Sequence, residues 1–378
     1  MAVIWDFALT QTRDPLLWKA GFLLILANGI VTLLGVIRTP LITWVIPKEQ
    51  VGMLGVVASW MPFLQLASLT GLDTASFHYV SKGTPWAFAV NIHYRLRWSL
   101  ISVVGFLAGA GFWAWQGQIS LAWLFIIAGL SYPLTAGLSA VSGTLAAQER
   151  YISLFWYRIW ESLTDFTGFI PLLLSTWWIN QIATFYGVNQ LATALMQISY
   201  SLWLILPLYR SDSKRPEPHE EREIVGYGKH LTGVNSIAVI NNRMDALLVG
   251  FFQPLNTMAD YSIALLIYEQ YRRLWNIYQS VRYPKLVRLP ALRIKRHFAL
   301  EGGFVFAGFC LMGILLVAAA FWLIPILLPT TYFPSLRYIP PLTIAFLSGL
   351  PAGMTDTYFR TQEDHKSQYL LKITGVIV

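Results

Sequence analysis

Long apolar segments recur along the whole chain, and short polar gaps separate them. Stretches of about 20 apolar residues, the length that crosses a bilayer as a helix, predict ten spans. An eleventh begins around residue 368 and is cut off. The pattern predicts an all-α polytopic membrane protein with about 10–11 transmembrane helices in this chain. The ten complete spans are predicted near residues 17–37, 52–72, 98–116, 120–143, 158–177, 186–208, 232–252, 259–280, 302–325 and 338–359.

Basic residues concentrate in every second gap between these spans. The gaps after the first, third, fifth, seventh and ninth spans contain only Arg38, Lys48 and Arg337. Because Lys and Arg are retained on the cytoplasmic side, the even-numbered gaps and the N-terminus are predicted to be cytoplasmic. Basic residues of the even-numbered gaps include Lys82, Arg95, Arg97, Arg150, Arg210, Arg222, Lys229, Arg282, Lys285 and Arg296.

Composition supports this class and excludes others. The chain of 378 residues has 56% hydrophobic and 12% charged residues and a mean hydropathy of +0.53, whereas a soluble domain has about 25% charged residues. The net charge is +8, but the basic residues flank the spans and do not form a separate basic domain, so no nucleic-acid partner is expected. The single cysteine, Cys310, and six scattered histidines predict neither a disulfide nor a metal site.

The proline-bearing and charged stretch 210–228 divides the chain. We predict an N-terminal six-helix bundle over 1–209, a cytoplasmic linker over 210–228 and an incomplete C-terminal bundle over 229–378. Short similar segments occur at corresponding places in the two halves: Ile46-Pro47-Lys48 after the first span parallels Gln253-Pro254-Leu255 after the seventh. Both halves start in the cytoplasm, so we predict a parallel repeat with a cavity between the halves that serves alternating access.

A few polar groups lie inside the spans, where an ionisable group costs about 2.5–3.5 kcal/mol and normally faces protein or water. The seventh span has Asn235, Asn242 and Asp245 on one narrow arc and Arg243 on a different face. These positions predict a polar lining. Further groups are Glu269, Arg272 and Arg273 in the eighth span, and Arg158, Glu161 and Asp165, which share one face of the fifth.

Short sequence segments throughout the chain resemble those of one transporter family. They are Arg38, Ile46 to Gly52, Gly71-Leu72-Asp73, Ala147 to Arg150, Tyr227-Gly228-Lys229, Arg243-Met244-Asp245 and Tyr261 to Ala264. Together they resemble the Wzx-type O-antigen and oligosaccharide flippases of the multidrug, oligosaccharidyl-lipid and polysaccharide (MOP) exporter superfamily. The resemblance implies a fold of two parallel-repeat, MOP/MATE-like bundles with twelve or more helices, so the C-terminal helices would be missing from this chain.

The resemblance also implies a function. A member would flip polyprenyl-diphosphate-linked oligosaccharide repeat units across the bacterial cell inner membrane, for polysaccharide, O-antigen and lipopolysaccharide biosynthesis. Guanidinium groups bind phosphate oxygens in bidentate fashion, so the expected substrate cavity includes Arg38, Asn235, Asn242, Arg243, Asp245, Glu269, Arg272 and Arg273. Four acidic groups would balance these arginines or carry a coupling proton or sodium ion: Asp245, Glu269, Glu161 and Asp165. No other cofactor is expected.

Several alternatives stay open from the sequence. Glu269 with Arg272 or Arg273, and Arg158 with Glu161, would also be explained as structural ion pairs within one helix. A lipid-II flippase or a drug/cation antiporter of the same superfamily is the closest rival. A membrane-embedded glycan polymerase or ligase is disfavoured because the outward connections are only about a dozen residues or shorter and no catalytic residue set is evident, so no enzyme is predicted.

Expected partners are the lipid-linked oligosaccharide, membrane lipids and other glycan-assembly proteins. The sequence leaves open the sugar composition of the cargo, the coupling ion, the oligomeric state and whether the chain is a C-terminally truncated fragment.

Overall fold

A computed structural model describes residues 15–174, 181–210, 217–287, 291–361 and 370, and the described residues are helical apart from short connections. No strand occurs within these ranges. Each of the ten predicted spans overlaps at least one helix. The prediction of an all-α fold is therefore confirmed.

The helices are numbered here in chain order. The earlier ones are α1 (Pro15–Val45), α2 (Lys48–Leu66), α3 (Gly71–Ser81), α4 (Ala87–Trp115), α5 (Ile119–Gly137), α6 (Ala140–Ala147), α7 (Tyr151–Thr164), α8 (Phe169–Leu174) and α9 (Gln181–Arg210). The later ones are α10 (Pro218–Phe252), α11 (Leu255–Val287), α12 (Ala291–Leu327), a 3₁₀ segment (Thr330–Tyr338) and α13 (Ile339–Thr361).

Hydropathy and length single out the most apolar helices. Within the described ranges, four stretches could each cross a membrane: Phe22–Val45, Ala87–Trp115, Ile119–Ala147 and Gly302–Leu327. The bent pair α2 and α3 raises the number to five if it forms one broken span. Other helices, such as α10 and α11, carry charged and amide groups that lower their mean hydropathy. The total of 10–11 spans stays a prediction, and the eleventh, from about residue 368, lies outside the described residues except for Leu370.

The described residues form two compact units. Unit 1 comprises Met1–Thr39 and Leu64–Asn235, and unit 2 comprises Pro40–Phe63 and Ser236–Val378. These units differ from the division at 210–228, which was drawn from composition and topology and stays a prediction, as does the parallel repeat. Within the predicted linker, helix α10 already begins at Pro218.

Unit 1 has an apolar core in which Leu72, Phe88, Leu145 and Tyr157 are fully or almost fully buried. Ile224 joins this core, so the start of α10 packs into unit 1. Small residues let α4 and α5 approach closely, since Gly109 faces the ring of Phe125 and Gly129 faces Phe106.

Helices α2 and α3 meet at an angle of 60°. The break between them contains Leu69, whose φ of 57° lies in the left-handed region. Directly after the break, a Cβ on Gly71 would collide with the backbone of α10 at Gly228 and Thr232. Glycine at position 71 therefore permits a backbone approach that a larger residue would prevent.

Unit 2 has a smaller aromatic core. Tyr271 and Trp275 of α11 contact Phe309 of α12, and Leu350 of α13 is buried beside them. The Tyr271 hydroxyl donates to the Phe309 carbonyl, which satisfies a buried polar group. This core fixes α11, the helix that carries Glu269 and Arg272.

Candidate functional site

The charged groups of unit 2 lie on two consecutive helices. Helix α10 ends at Phe252 and α11 begins at Leu255, because Pro254 cannot continue the preceding helix. Asp245 and Tyr261 lie about eight residues from this turn, on either side of it, which corresponds to about 12 Å along each helix. Residues at equal distances before and after the turn therefore lie at similar heights along the two helices.

A three-residue charge cluster links these helices. Nη2 of Arg243 lies 2.6 Å from Oε1 of Glu269, and Nε of Arg272 lies 3.7 Å from Oε2 of the same carboxylate. The side chains of Arg243, Glu269 and Arg272 are 23%, 19% and 27% exposed, so each is largely withdrawn from solvent. We call these three residues the Arg–Glu–Arg cluster. Two guanidinium groups share one carboxylate, which leaves a formal charge of +1.

Arg272 keeps unused hydrogen-bonding capacity. Its Nη1 atom is inaccessible and has no hydrogen-bond partner among the described residues. Leaving a buried donor without an acceptor costs about 1–3 kcal/mol, more for a charged group. An incoming anion that accepted this hydrogen bond would therefore recover free energy.

Asp245 forms no ion pair with either arginine among the described residues. Its carboxylate accepts a hydrogen bond from the hydroxyl of Tyr261 on α11. Tyr261 was quoted in the family resemblance but was not predicted as a site residue. The only signal for it in the sequence was its position, at a matching distance from the turn.

Three other predicted cavity residues have different surroundings. Arg273 is exposed, and its Nη1 donates to Gln270 at 3.4 Å. Asn242 is exposed and donates to the Ala238 carbonyl of its own helix at 2.7 Å. Asn235 is half-buried and belongs to unit 1. The structure does not place Arg273 in the Arg–Glu–Arg cluster, although it is the direct neighbour of Arg272.

In unit 1, Arg38 of α1 pairs with Asp165 at the end of α7. Nη1 of Arg38 lies 2.7 Å from Oδ2 of Asp165, and both side chains are partly exposed. Glu161, one turn before Asp165, is exposed. On the same face of α7, Arg158 donates to Asn28 of α1 at 3.0 Å. Polar contacts therefore join α1 to α7 at two levels.

A break between α7 and α8 follows Asp165. The side-chain oxygen of Asn189 on α9 accepts the backbone N–H of Gly168 at 2.6 Å and the hydroxyl of Thr167 at 3.2 Å. A backbone N–H freed by a break within a membrane helix needs such a partner. Asn189 therefore stabilises the break and helps to fix the position of Asp165.

The sequence analysis missed a buried polar network in unit 1. Arg95 of α4 is only 2% exposed, and its guanidinium donates to Asp73 of α3 and to Ser139. Asn91, one turn earlier on α4, also donates to Asp73, at 3.1 Å. Asp73 and Arg95 stand at the margins of apolar segments, and that placement was the available signal.

A second missed pair lies in unit 2. Lys48 at the start of α2 donates to Asp260 of α11 at 2.8 Å and to the carbonyl of Thr331 at 2.5 Å. Asp260 is 4% exposed, so its carboxylate depends on Lys48 for compensation. Tyr332 of the 3₁₀ segment lies under the ammonium group. Burial raises the pKa of Tyr332, and the Asp260 carboxylate raises it further.

Comparisons with known proteins define the class. The fold is similar to that of a solved structure described as the inward-facing conformation of a multidrug resistance MATE family transporter of the MOP superfamily. The TM-score is 0.63 and the sequence identity 14%, and the match covers 92% of this chain and 83% of that chain. No curated protein matches the chain in sequence. The chain therefore has an all-α polytopic membrane fold similar to that of this transporter.

A family model described as "Polysaccharide biosynthesis protein" matches residues 17–289. This match covers most of the chain, so the protein belongs to that family. The resemblance recognised in the sequence is thereby confirmed at the level of the family. The family indicates a part in polysaccharide biosynthesis, and the fold is that of a multi-pass membrane protein.

Proposed function

We propose that the protein flips polyprenyl-diphosphate-linked oligosaccharide repeat units from the cytoplasmic to the outer leaflet of the bacterial cell inner membrane, by alternating access. The family supplies the link to polysaccharide synthesis and the fold supplies the link to transport. The distribution of Lys and Arg supports a cytoplasmic N-terminus. The sugar head group and diphosphate would cross the membrane through the protein while the polyprenyl tail stays in lipid.

The charge of the Arg–Glu–Arg cluster carries the proposal. Arg243 and Arg272 share the single carboxylate of Glu269, and the carboxylate of Asp245 accepts a hydrogen bond from Tyr261 and forms no ion pair with either arginine among the described residues. A partly desolvated site with excess positive charge favours an anion, and guanidinium groups match the geometry of phosphate oxygens. Nη1 of Arg272 offers the donor that one phosphate oxygen would take.

Among the four acidic candidates for ion coupling, we propose Glu269 as the group that binds and releases the coupling ion. An anion that binds Arg243 and Arg272 competes with the Glu269 carboxylate. The ion pair of Asp165 with Arg38 and the hydrogen bond from Tyr261 to Asp245 do not involve these two arginines. On this basis Glu269→Gln should abolish the dependence of transport on the proton or sodium gradient, and unchanged dependence on both gradients would contradict the assignment.

The matched pair Arg272→Gln and Arg273→Gln tests the site. The two residues are neighbours and lose the same charge, but only Arg272 belongs to the cluster. A hydrogen bond to a charged group contributes about 1.5–3 kcal/mol, so Arg272→Gln should lower transport about 10- to 100-fold. Transport by Arg273→Gln should stay within about threefold of wild type. Equal effects, with equal amounts of protein in the membrane, would contradict the cluster as the binding site.

A drug/cation antiporter is the second candidate, favoured by the likeness to the MATE transporter. An organic cation would be repelled by the +1 charge of the Arg–Glu–Arg cluster. Under this alternative, Arg272→Gln should leave cation efflux unchanged or raise it. Cation efflux by the wild-type protein, without appearance of lipid-linked repeat units in the outer leaflet, would favour the antiporter.

A further inference from the structure

One face of α4 has the dimensions of a membrane-contacting surface. Arg97 and Trp115 lie 18 positions apart, a whole number of helical turns, so they share this face. Between them the exposed side chains are apolar, including Leu100 at 61% and Val104 at 66%, and Trp115 itself is 85% exposed. The separation is about 27 Å along the helix, close to the thickness of the hydrocarbon core, about 30 Å. Arg97 therefore lies at the level of lipid head groups.

Further basic groups from α10 lie beside this end of α4, within unit 1. Nζ of Lys229 lies 5.9 Å from the ring centroid of Trp98. The hydroxyl of Tyr94, one turn before Arg97 on α4, hydrogen-bonds to Glu221, the residue before Arg222 on α10. All three cations are exposed, and none of them takes part in an ion pair between described residues.

The local charge balance is positive. Glu221 is the carboxylate beside Tyr94, and Glu223 accepts a hydrogen bond from Tyr79, so three cations face these two carboxylates. An indole at the boundary of the hydrocarbon core is the usual position of Trp in membrane proteins. Exposed cations, a boundary indole and an apolar stripe together match the head group, the glycerol region and the acyl chains of a lipid.

We propose that Arg97, Arg222 and Lys229 bind the phosphate of an anionic phospholipid. Its acyl chain lies along the exposed apolar face of α4, from Leu100 towards Leu107. This site belongs to unit 1 alone and is separate from the Arg–Glu–Arg cluster. It does not depend on the identity of the transported cargo.

Lipid retention measured by native mass spectrometry tests this site. The purified full chain is exchanged from detergent into mixtures of phosphatidylglycerol and phosphatidylcholine with identical acyl chains, and bound lipids are counted. Each basic residue near an anionic lipid surface contributes about a fivefold change in affinity. Wild-type protein should retain phosphatidylglycerol preferentially, and Arg97→Gln/Lys229→Gln should lose about 25-fold in that preference. The matched control Arg337→Gln removes an exposed cation of unit 2 and should bind as wild type does.

Two results would overturn the proposal. One is equal retention of phosphatidylglycerol by the wild type and by Arg97→Gln/Lys229→Gln, with both proteins monodisperse on gel filtration. The other is retention of a polyprenyl diphosphate, but not of phosphatidylglycerol, that depends on Arg97 and Lys229. That second result would assign these cations to recognition of the cargo lipid.

Discussion

Replacing Asp73 by Ala should destabilise unit 1 strongly, because it leaves the guanidinium of Arg95 without its counter-ion. The Arg95 side chain is 3% exposed and that of Asp73 is 36% exposed. Ser139 would remain as an acceptor for Arg95, but a neutral hydroxyl does not compensate a buried charge.

The structure allows the magnitude to be estimated. Removing one partner of a buried ion pair costs about 3–5 kcal/mol. The partial exposure of Asp73 places the expected loss near the lower end, at about 3 kcal/mol. For a unit of roughly 200 residues this corresponds to a fall in Tm of about 6–12 °C.

Thermal unfolding in detergent, followed by loss of monodisperse protein on gel filtration, measures this effect. Ser139→Ala provides a milder comparison, since a neutral hydrogen bond contributes about 1 kcal/mol. The double variant Asp73→Ala/Arg95→Leu removes both charges, and replacing a buried ion pair by apolar groups is often close to neutral. It should therefore recover most of the lost Tm. A Tm for Asp73→Ala within about 1 °C of wild type, or no recovery in the double variant, would refute this reasoning.

Two further predictions concern backbone approach and buried charge. Gly71→Ala should lower Tm, because the added Cβ meets the Gly228 carbonyl and overpacking costs about 1–3 kcal/mol. In the control Gly29→Ala a Cβ meets nothing within 4 Å, so Tm should stay the same or rise. Equal losses of Tm in the two variants would contradict the close contact at Gly71. Lys48→Met should lower the free energy of unfolding by about 3 kcal/mol, because it leaves the carboxylate of Asp260 without its counter-ion. Adding Asp260→Asn should restore stability, and failure to do so would show that Lys48 acts through other contacts.

Hydropathy predicted the helices well where a helix is apolar along its length. The span predicted at 302–325 lies within Ala291–Leu327, since every turn there reads as apolar. The helix that contains the span predicted at 98–116 begins earlier than the apolar segment, because α4 starts at Ala87 and its first turns contain Asn91 and Arg95. Those polar groups are buried against unit 1, and local hydropathy contains no information about such tertiary compensation.

The candidate site was predicted in part. Placing Arg243, Glu269 and Arg272 in adjacent spans followed from the cost of charge in a bilayer. The pairing of Glu269 with Arg243 and of Asp245 with Tyr261 depends on side-chain reach across the turn at Pro254, which spacing along one helix does not specify. Asp73 and Lys48 were missed for the same reason, since their partners lie 22 and 212 positions away in sequence.

The division of the chain shows a different limit. The composition of 210–228 resembles that of a linker, yet α10 begins at Pro218 and buries Ile224 in the core of unit 1. Charged residues on an exposed helix face and charged residues in a loop have similar composition. Only the contacts of Ile224 and Gly228 with α3 and its neighbours distinguish them.

The most direct test of the proposed function is the sidedness of lipid-linked oligosaccharide in cells that lack their own oligosaccharide flippase. Cells that express this chain should accumulate repeat units in the outer leaflet, cells with Arg273→Gln should do so nearly as well, and cells with Arg272→Gln should show a loss of about 10- to 100-fold. Repeat units confined to the inner leaflet with wild-type protein present in the membrane would contradict the proposed cargo.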